Sequence, residues 1–540
     1  MSTERMLTLR VLASALWLLS AVAHASCPGE ASLDGAFPPG WGITPEGTRH
    51  VAADHTRIDR SNVANLSLKW VYRMNTSQPR SYPLVTDDTI FIGDGAAAVA
   101  LDRETGCERW RWGDAPGEVG SGFLLHDDLL IFNIRPGFLI ALDARTGTER
   151  WRAQPGDNPA RMLSGTPALV DGRLLVPISS LEIGYPANFL YGCCATSGGL
   201  VSVDVTTGAD QWVYNTIKNP GSVVTGTRWL GLIDQRGPSG APVWGSVSVD
   251  HARGSAYVGT GQNYSHPTSG TSDAIISLNY ATGEPNWVRQ FTENDAYNLA
   301  CDLGGPNCPD PPGPDVDFGA VPILVNSAEH GQLVVAGQKS AEVHAMRPED
   351  GTGVWQTRVG RGGALGGVHW GIAANNDLGM VYIPNSDRFA GRLTGSGQAQ
   401  PGLFALDIDT GEIRWHYRPE PACDDCWPGL SSAITVTDDV VFVGTLDGVL
   451  SGIDAASGEP LWSFQTGARF FDAVNGGRAE GGSYDAHGPL VVDDLLLVSS
   501  GYGSFRQSGG NAFMVFQLDA DEKDEKDEKD EKDEKGERDE

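Results

Sequence analysis

Three places in the chain carry oxygen-bearing side chains that could hold a hard cation. Glu182 follows the strand-like run VPISS after one residue, Leu181. Gly259-Thr260-Gly261-Gln262-Asn263 offers two neighbouring amides, and Asp315-Val316-Asp317 offers two carboxylates. A carboxylate set against a bound hydroxyl can also take its proton. Lys339, in GQKS, stands beside small residues in a segment that reads as an inner strand. Its ammonium is costly to bury unless an anionic group accompanies it. Trp244, in APVWGSVSVD, lies off the tryptophan repeat of this chain, so packing within that repeat does not account for it. Cys193 and Cys194 are adjacent and follow Glu182 by 11 residues. The bland alternatives are a loop carboxylate at Glu182, a solvated acidic loop at 315–317 and a plain loop staple at the cysteines.

The elements that must position these residues are legible in a repeat: a short apolar strand, an Asp or similar residue, Thr-Gly, and Trp four residues after the Gly. ALDRETGCERW ends at Trp110, ALDARTGTERW at Trp151, SVDVTTGADQW at Trp212 and SLNYATGEPNW at Trp287. AMRPEDGTGVW ends at Trp355, ALDIDTGEIRW at Trp415 and GIDAASGEPLW at Trp462, while NLSLKW supplies Trp70 without the turn. The Thr-Gly turn joins two antiparallel strands, with Gly at positive φ, and the Trp packs between neighbouring sheets. A four-stranded unit of about 40 residues is a propeller blade. Eight Trp residues predict an all-β, eight-bladed β-propeller over 26–518, closed by pairing Phe513–Leu518 with the strand around Trp70. The longest intervals, such as Trp212 to Trp287, predict insertions on one face.

Composition agrees with this fold: Gly 69 and Pro 32 suit a turn-rich β chain, and 40% hydrophobic content suffices for a core. The formal net charge of −30 makes nucleic acid an unsuitable partner and a basic protein a suitable one. Residues 521–540, DEKDEKDEKDEKDEKGERDE, have no apolar residue to bury, so 519–540 reads as a solvated, disordered acidic tail. Arg5 and Arg10 precede the apolar run Val11–Ala23, and Ala23-His24-Ala25 fits a cleavage site. Residues 1–25 thus read as a signal peptide, and no other stretch reaches membrane-helix length. The mature protein is expected to be periplasmic or secreted, without a membrane span. Eight cysteines in an exported chain suggest disulfides: Cys193 with Cys194, Cys301 with Cys308, Cys423 with Cys426 and, by elimination, Cys27 with Cys107. No Cys-x-x-Cys is followed by His, since Trp427 follows Cys426, which excludes covalent c-type haem. Zinc at Cys423 and Cys426 lacks a second ligand pair.

The repeats resemble those of the quinoprotein alcohol dehydrogenases, which bind pyrroloquinoline quinone (PQQ) and a metal in an eight-bladed propeller. GTGQNYSHPTSGTSDAIISLNYATGEPNW, GGVHWGIAANN, GQKSAEVHAM and SSGYGSFRQSGGNAF are similar to the polyvinyl alcohol dehydrogenase branch. The resemblance implies an enzyme and assigns roles. Glu182 matches a metal ligand, and an amide after Gly-x-Gly matches a second. Ungapped counting from Trp244 gives Gln262, whereas the polyvinyl alcohol dehydrogenase pattern favours Asn263. Asp317 matches both a ligand and the catalytic base. If Asp315 is the base instead, Asp317 takes the position of the extra carboxylate of lanthanide-dependent relatives. Trp244 matches the floor under the PQQ ring and Lys339 the cation at the quinone oxygens. Ser164 and Ser179 match hydroxyls that bind the cofactor, and Trp370 lines the site. The pair Cys193-Cys194 matches the adjacent-cysteine disulfide over the cofactor, although the methanol-oxidising branch carries it far upstream. The resemblance implies PQQ, Ca2+ rather than a lanthanide, a secondary alcohol substrate that is polymeric in the nearest branch, and a soluble c-type cytochrome as acceptor. The alternatives are a quinoprotein for another alcohol and a non-enzymatic propeller scaffold of the outer-membrane assembly type.

Overall fold

The computed structural model describes Cys27 and residues 29–113, 116–388 and 394–519. The signal-peptide and acidic-tail readings fall on residues outside these. The described strands build eight antiparallel blades. In seven of them the four blade strands follow chain order, and the third adds Arg161–Met162 on Arg173–Ser180. The eighth joins the two ends of the chain: Leu490–Val492, Leu495–Ser500 and Ala512–Leu518 are completed by Leu66–Arg73. Leu66 stands opposite Leu518 and Arg73 opposite Ala512, so the ring closes as the sequence predicts.

The tryptophans dock blade on blade. The Trp110 indole donates to Ala144 O at 3.0 Å, Trp287 to Pro348 O at 2.9 Å and Trp355 to Ile408 O at 2.8 Å, each acceptor lying in the turn of the next blade. Trp462 donates to Leu66 O at 3.2 Å and so seals the seventh blade against the eighth. The turn glycine lies flat on the indole. At Gly283, φ +76°, a Cβ would stand 2.5 Å from the Trp212 ring, so the residue must be Gly for both conformation and space. Branched residues fill the spaces between blades, as in the cluster of Val325, Leu333, Val343, Val381 and Ile383.

All four disulfides form as the spacing suggests, Cys27–Cys107, Cys193–Cys194, Cys301–Cys308 and Cys423–Cys426. The last of these ends the zinc reading, because a disulfide leaves no thiolate to ligate a metal.

First strands line the axis: Ala168–Val170 approaches Ser248–Asp250, which approaches Ile323–Ser327, and Ala373–Asn375 approaches Thr435–Val436. Across one end of these strands runs an N-terminal strap that the repeats do not announce. Pro45 O accepts from Val249 N, Glu46 O from Leu324 N, Thr48 O from Ala374 N and Arg49 O from Val436 N, at 2.8–3.1 Å. Arg49 is fully buried, donates to Ile434 O, Trp41 O, His487 O and the Thr435 hydroxyl, and lies 4.5 Å from the Trp41 ring. The strap meets each of these strands at its second residue, and the site lies in the segments just ahead of them.

Candidate active site

Residues singled out in the sequence converge there for a topological reason. Ser164, Trp244, Asp317 and Trp370 each lie three to six residues ahead of a first strand, beginning at Ala168, Ser248, Ile323 and Ala373. Glu182, Gln262 and Lys339 each follow a second strand, Arg173–Ser180, Ser255–Gly259 and Gly331–Gly337. Antiparallel neighbours bring those starts and ends to the same edge. The entries pack backbone to backbone: a Cβ on Gly165 would meet Gly245 O at 2.1 Å, and one on Gly245 would meet Gly319 O at 2.5 Å. On Gly319 it would fall 1.9 Å from the Trp244 ring, so this indole can lie across the axis only where Gly stands.

At the centre is Asp317, buried, with three donors. Its Oδ2 accepts from Trp244 Nε1 and from Lys339 Nζ, both at 2.9 Å, and its Oδ1 accepts from Gln262 N at 2.9 Å. The Lys339 ammonium also reaches Asp315 Oδ1 at 3.1 Å and stands 5.5 Å from the Trp244 ring centre. Burial acts against the Lys339 charge, but Asp315 and Asp317 outweigh it and hold the ammonium above its ordinary range. Burial pushes the Asp315 carboxyl up to about 7, against the pull of Lys339 and with the help of Asp317. The Trp370 ring meets Trp244 edge-on at 5.4 Å. Trp244, Gln262, Asp315, Asp317, Lys339 and Trp370 thus form one constellation.

Two further acids, unmarked by any motif, complete the electrostatics. Asp295 accepts from Asp315 N and Val316 N at 3.1 and 2.9 Å and so fixes the loop that presents Asp317; burial pushes it up to about 6. Asp273 is fully buried, neither of its carboxylate oxygens has a partner, and burial holds it well above its usual range. Four carboxyl groups therefore share the single ammonium of Lys339, a surplus of negative charge that calls for protons or a cation. A lone Asp in an irregular loop carries no sequence signal, so neither was foreseen.

The two candidate amides differ. Asn263 is spent: its Nδ2 donates to Ser239 O at 2.9 Å and its Oδ1 accepts from Ser269 N at 2.9 Å. Gln262 Oε1 is buried without a partner. This orphaned oxygen, on the residue whose N–H binds Asp317, is the kind of donor a hard cation takes.

Glu182 stands on a second lobe. Its Oε1 accepts from the Tyr191 hydroxyl and Ala195 N, each at 2.7 Å, and its Oε2 from Thr196 N at 2.7 Å and Thr196 Oγ1 at 2.5 Å. The carboxylate thereby organises the loop that carries the Cys193–Cys194 disulfide. That disulfide packs on Tyr264, whose buried phenol is within electrostatic reach of Asp317, Glu182 and Asp315 and is hydrogen-bonded to the Ser179 hydroxyl. Ser164 is half-buried beside Gly165, and no side-chain bond ties it to the described residues. Among the described residues, no three of His, Cys, Asp and Glu cluster as a metal cage. A cation here would therefore need the Gln262 amide as well as carboxylates.

Comparison with known proteins fits this geometry. Residues 60–290 and 342–519 match the family model described as outer membrane protein assembly factor BamB, a match that lies on the repeats. The chain is 32% identical over 503 residues to a polyvinylalcohol dehydrogenase of Pseudomonas sp., covering 89% of this chain and 76% of that protein. It is also 32% identical to a polyvinylalcohol dehydrogenase of Sphingopyxis sp., covering 86% and 74%. Among solved structures, the quinohemoprotein alcohol dehydrogenase from Comamonas testosteroni superposes with a TM-score of 0.65 at 19% identity, over 89% of this chain and 80% of that one, which shows the shared fold. With 32% identity over 89% of its length, the chain belongs to the quinoprotein alcohol dehydrogenases, on the polyvinyl alcohol dehydrogenase branch.

Proposed function

We propose that this protein is a periplasmic PQQ-dependent dehydrogenase that oxidises a secondary alcohol of the polyvinyl alcohol kind to a ketone and passes the electrons to a separate cytochrome c. The observation that carries the reading is Asp317, buried under three donors, one of them the N–H of Gln262, whose own amide oxygen is buried without a partner. A non-enzymatic scaffold has no use for such a charge. Four disulfides suit an oxidising compartment, and a net charge of −30 suits a basic electron acceptor.

The donor set fits the family's cofactor and a hard cation. Gln262 would offer Ca2+ its bare Oε1, and Glu182, whose four acceptor positions are filled here, would join it only by giving up donors of its own loop; Asn263 is the poorer amide because its side chain is engaged, and Asp317 keeps its one free position for the proton. Trp244, Lys339, Trp370, the Cys193–Cys194 disulfide and the Ser164 and Ser179 hydroxyls would hold PQQ. When bound, PQQ supplies the two-electron oxidant and the cation its Lewis acid. The chain supplies the rest. A carboxylate has about four acceptor positions, and three of those on Asp317 are taken, two of them on Oδ2. The remaining lone pair is on Oδ1, the atom that receives the alcohol's hydroxyl proton. Lys339 and Trp244 hold Oδ2 fixed while this happens.

Asp315 is a second candidate base, favoured by one observation: burial brings its carboxyl to about 7, close to working pH. Among the described residues its side chain has one partner, Lys339, so it is less rigidly aimed than Asp317. Reconstitution decides the overall reading. The purified protein, loaded with PQQ and Ca2+, is expected to reduce a dye with a secondary alcohol as donor. A protein that takes up neither PQQ nor electrons under those conditions refutes it.

A further inference from the structure

Three insertions meet beside the Glu182 lobe: the loop after Arg173–Ser180, the hairpin of Val223–Arg228 and Ile233–Gly237, and the loop closed by Cys301–Cys308. They are bolted together by buried polar bonds. The Arg228 guanidinium donates to Phe189 O and Tyr191 O at 3.1 Å, and Asn307 Nδ2 donates to Pro186 O at 3.0 Å. Gln235 Nε2 donates to Pro306 O at 3.0 Å. Many of the polar groups are thus spent between the insertions, and their outer surface is rich in apolar side chains. Of the seventeen large hydrophobic side chains exposed among the described residues, nine lie on these insertions. Leu230 and Leu232 at the hairpin tip are 105% and 83% exposed, Leu303 is 70% and Trp229 57%. The Trp229 ring stacks on that of Phe189, itself 52% exposed, at 6.0 Å and 24°. Exposed apolar surface this concentrated marks a binding face.

Charge narrows the occupant. Residues 183–200 contain no ionisable acid or base except tyrosine and disulfide-bonded cysteine; the hairpin adds Arg228, whose guanidinium is used internally, and the ion pair of Asp234 with Arg236 at 2.6 Å, and the third loop adds Asp302, which accepts from the Tyr297 hydroxyl, so the charges of these insertions balance. On a chain of net charge −30, a neutral apolar face is poorly suited to a basic electron acceptor or an anionic lipid surface. It suits an uncharged chain that is hydrocarbon along its backbone. The face is also continuous with the site, because Tyr191, Ala195 and Thr196 of the same loop bind Glu182 and the loop carries Cys193–Cys194.

We infer that the Phe189–Trp229–Leu230–Leu232 face is a docking platform for the hydrocarbon backbone of a long, uncharged polyol, holding one stretch of the chain while a neighbouring hydroxyl enters the site. This rests on the alcohol-oxidising reading above. The test uses the PQQ- and Ca2+-loaded protein and a variant combining Trp229→Ser, Leu230→Ser and Leu232→Ser, all at exposed positions outside the catalytic machinery. The variant is expected to lose roughly tenfold in kcat/KM on polyvinyl alcohol, mostly through KM, and to keep the wild-type value on 2,4-pentanediol. Equal values on both substrates, or equal losses on both, overturn the platform. Binding of polyvinyl alcohol to the cofactor-free protein, read by the tryptophan fluorescence of the wild type against the variant, separates this idea from the function it rests on. Binding that the variant lacks supports the platform even if no alcohol is oxidised, and absence of binding overturns it. A wild-type dimer that the variant dissociates, or wild-type cosedimentation with phosphatidylcholine vesicles that the variant abolishes, assigns the face to another occupant and also overturns it.

Discussion

Replacing Lys339 with Met removes the one ammonium that stands between Asp315 and Asp317. Its contacts are 3.1 and 2.9 Å. At about 3 Å and an effective dielectric of about 20, each contact is worth about 5 kcal/mol before desolvation. Desolvating the ammonium cancels most of this, and breaking such a buried pair typically costs about 3–5 kcal/mol, because the carboxylates are left uncompensated. A domain of roughly 490 residues unfolds with an entropy on the order of 1 kcal/mol per kelvin, so the loss appears as a Tm lower by about 3–5 °C. The loss depends on pH. Asp315 takes a proton below about 7, so at pH 8 two carboxylates lose their counter-ion and at pH 5.5 only one does. Thermal melts of metal-free wild type, Lys339→Met and Lys339→Arg at the two pH values measure the difference. Lys339→Arg keeps the charge and most of the stability. A Lys339→Met deficit as large at pH 5.5 as at pH 8, or none at pH 8, refutes the ion-triad account of this site.

Three other outcomes are expected. Glu182→Gln turns an amide NH2 toward Ala195 N or Thr196 N, setting donor against donor, so Cys193–Cys194 should be reduced faster by dithiothreitol and PQQ held more weakly; unchanged reduction kinetics would show that Glu182 does not organise that loop. Burial, then the charge of Arg49, presses His487 down to about 3, while an unfolded His titrates near its usual value of about 6.5. Between those values only the unfolded chain takes up the proton, so stability falls as pH drops, by about 1.4 kcal/mol per pH unit, and His487→Gln should remove that share of the slope. Gly283→Ala should destabilise by about 1–3 kcal/mol beyond Gly331→Ala, because both have φ near +75° but only Gly283 lies against an indole. Equal losses for the two would deny the tryptophan docking.

What the sequence discloses and what it hides follow from range. The Thr-Gly turns and Trp residues are local signals that repeat, so blade count, ring closure through Leu66–Arg73 and the disulfide framework could be read directly. Lys339 and Trp244 were legible because each breaks a local rule, a charge beside small residues and a Trp off the repeat, and Asp315 and Asp317 through the family resemblance. The strap around Arg49 was not, since its partners at Ile434 and His487 lie hundreds of residues away. Nor was the difference between Gln262 and Asn263. Both are amides after Gly-x-Gly, and only the fold reveals that Ser239 and Ser269 consume Asn263 and leave Gln262 Oε1 bare. Asp273 and Asp295 gain their significance from neighbours brought together across blades, which no spacing encodes.

The central claim, that Asp317 is the proton acceptor of a PQQ-loaded alcohol dehydrogenase, is tested most directly by one paired measurement. Wild type, Asp317→Asn and Asp315→Asn are loaded with PQQ and Ca2+, cofactor uptake is read by absorbance, and dye reduction is followed with a secondary alcohol. The account predicts that all three take up PQQ, that Asp317→Asn turns over about 10²–10⁴-fold more slowly, and that Asp315→Asn keeps most of its rate. A dead Asp315→Asn beside an active Asp317→Asn contradicts it.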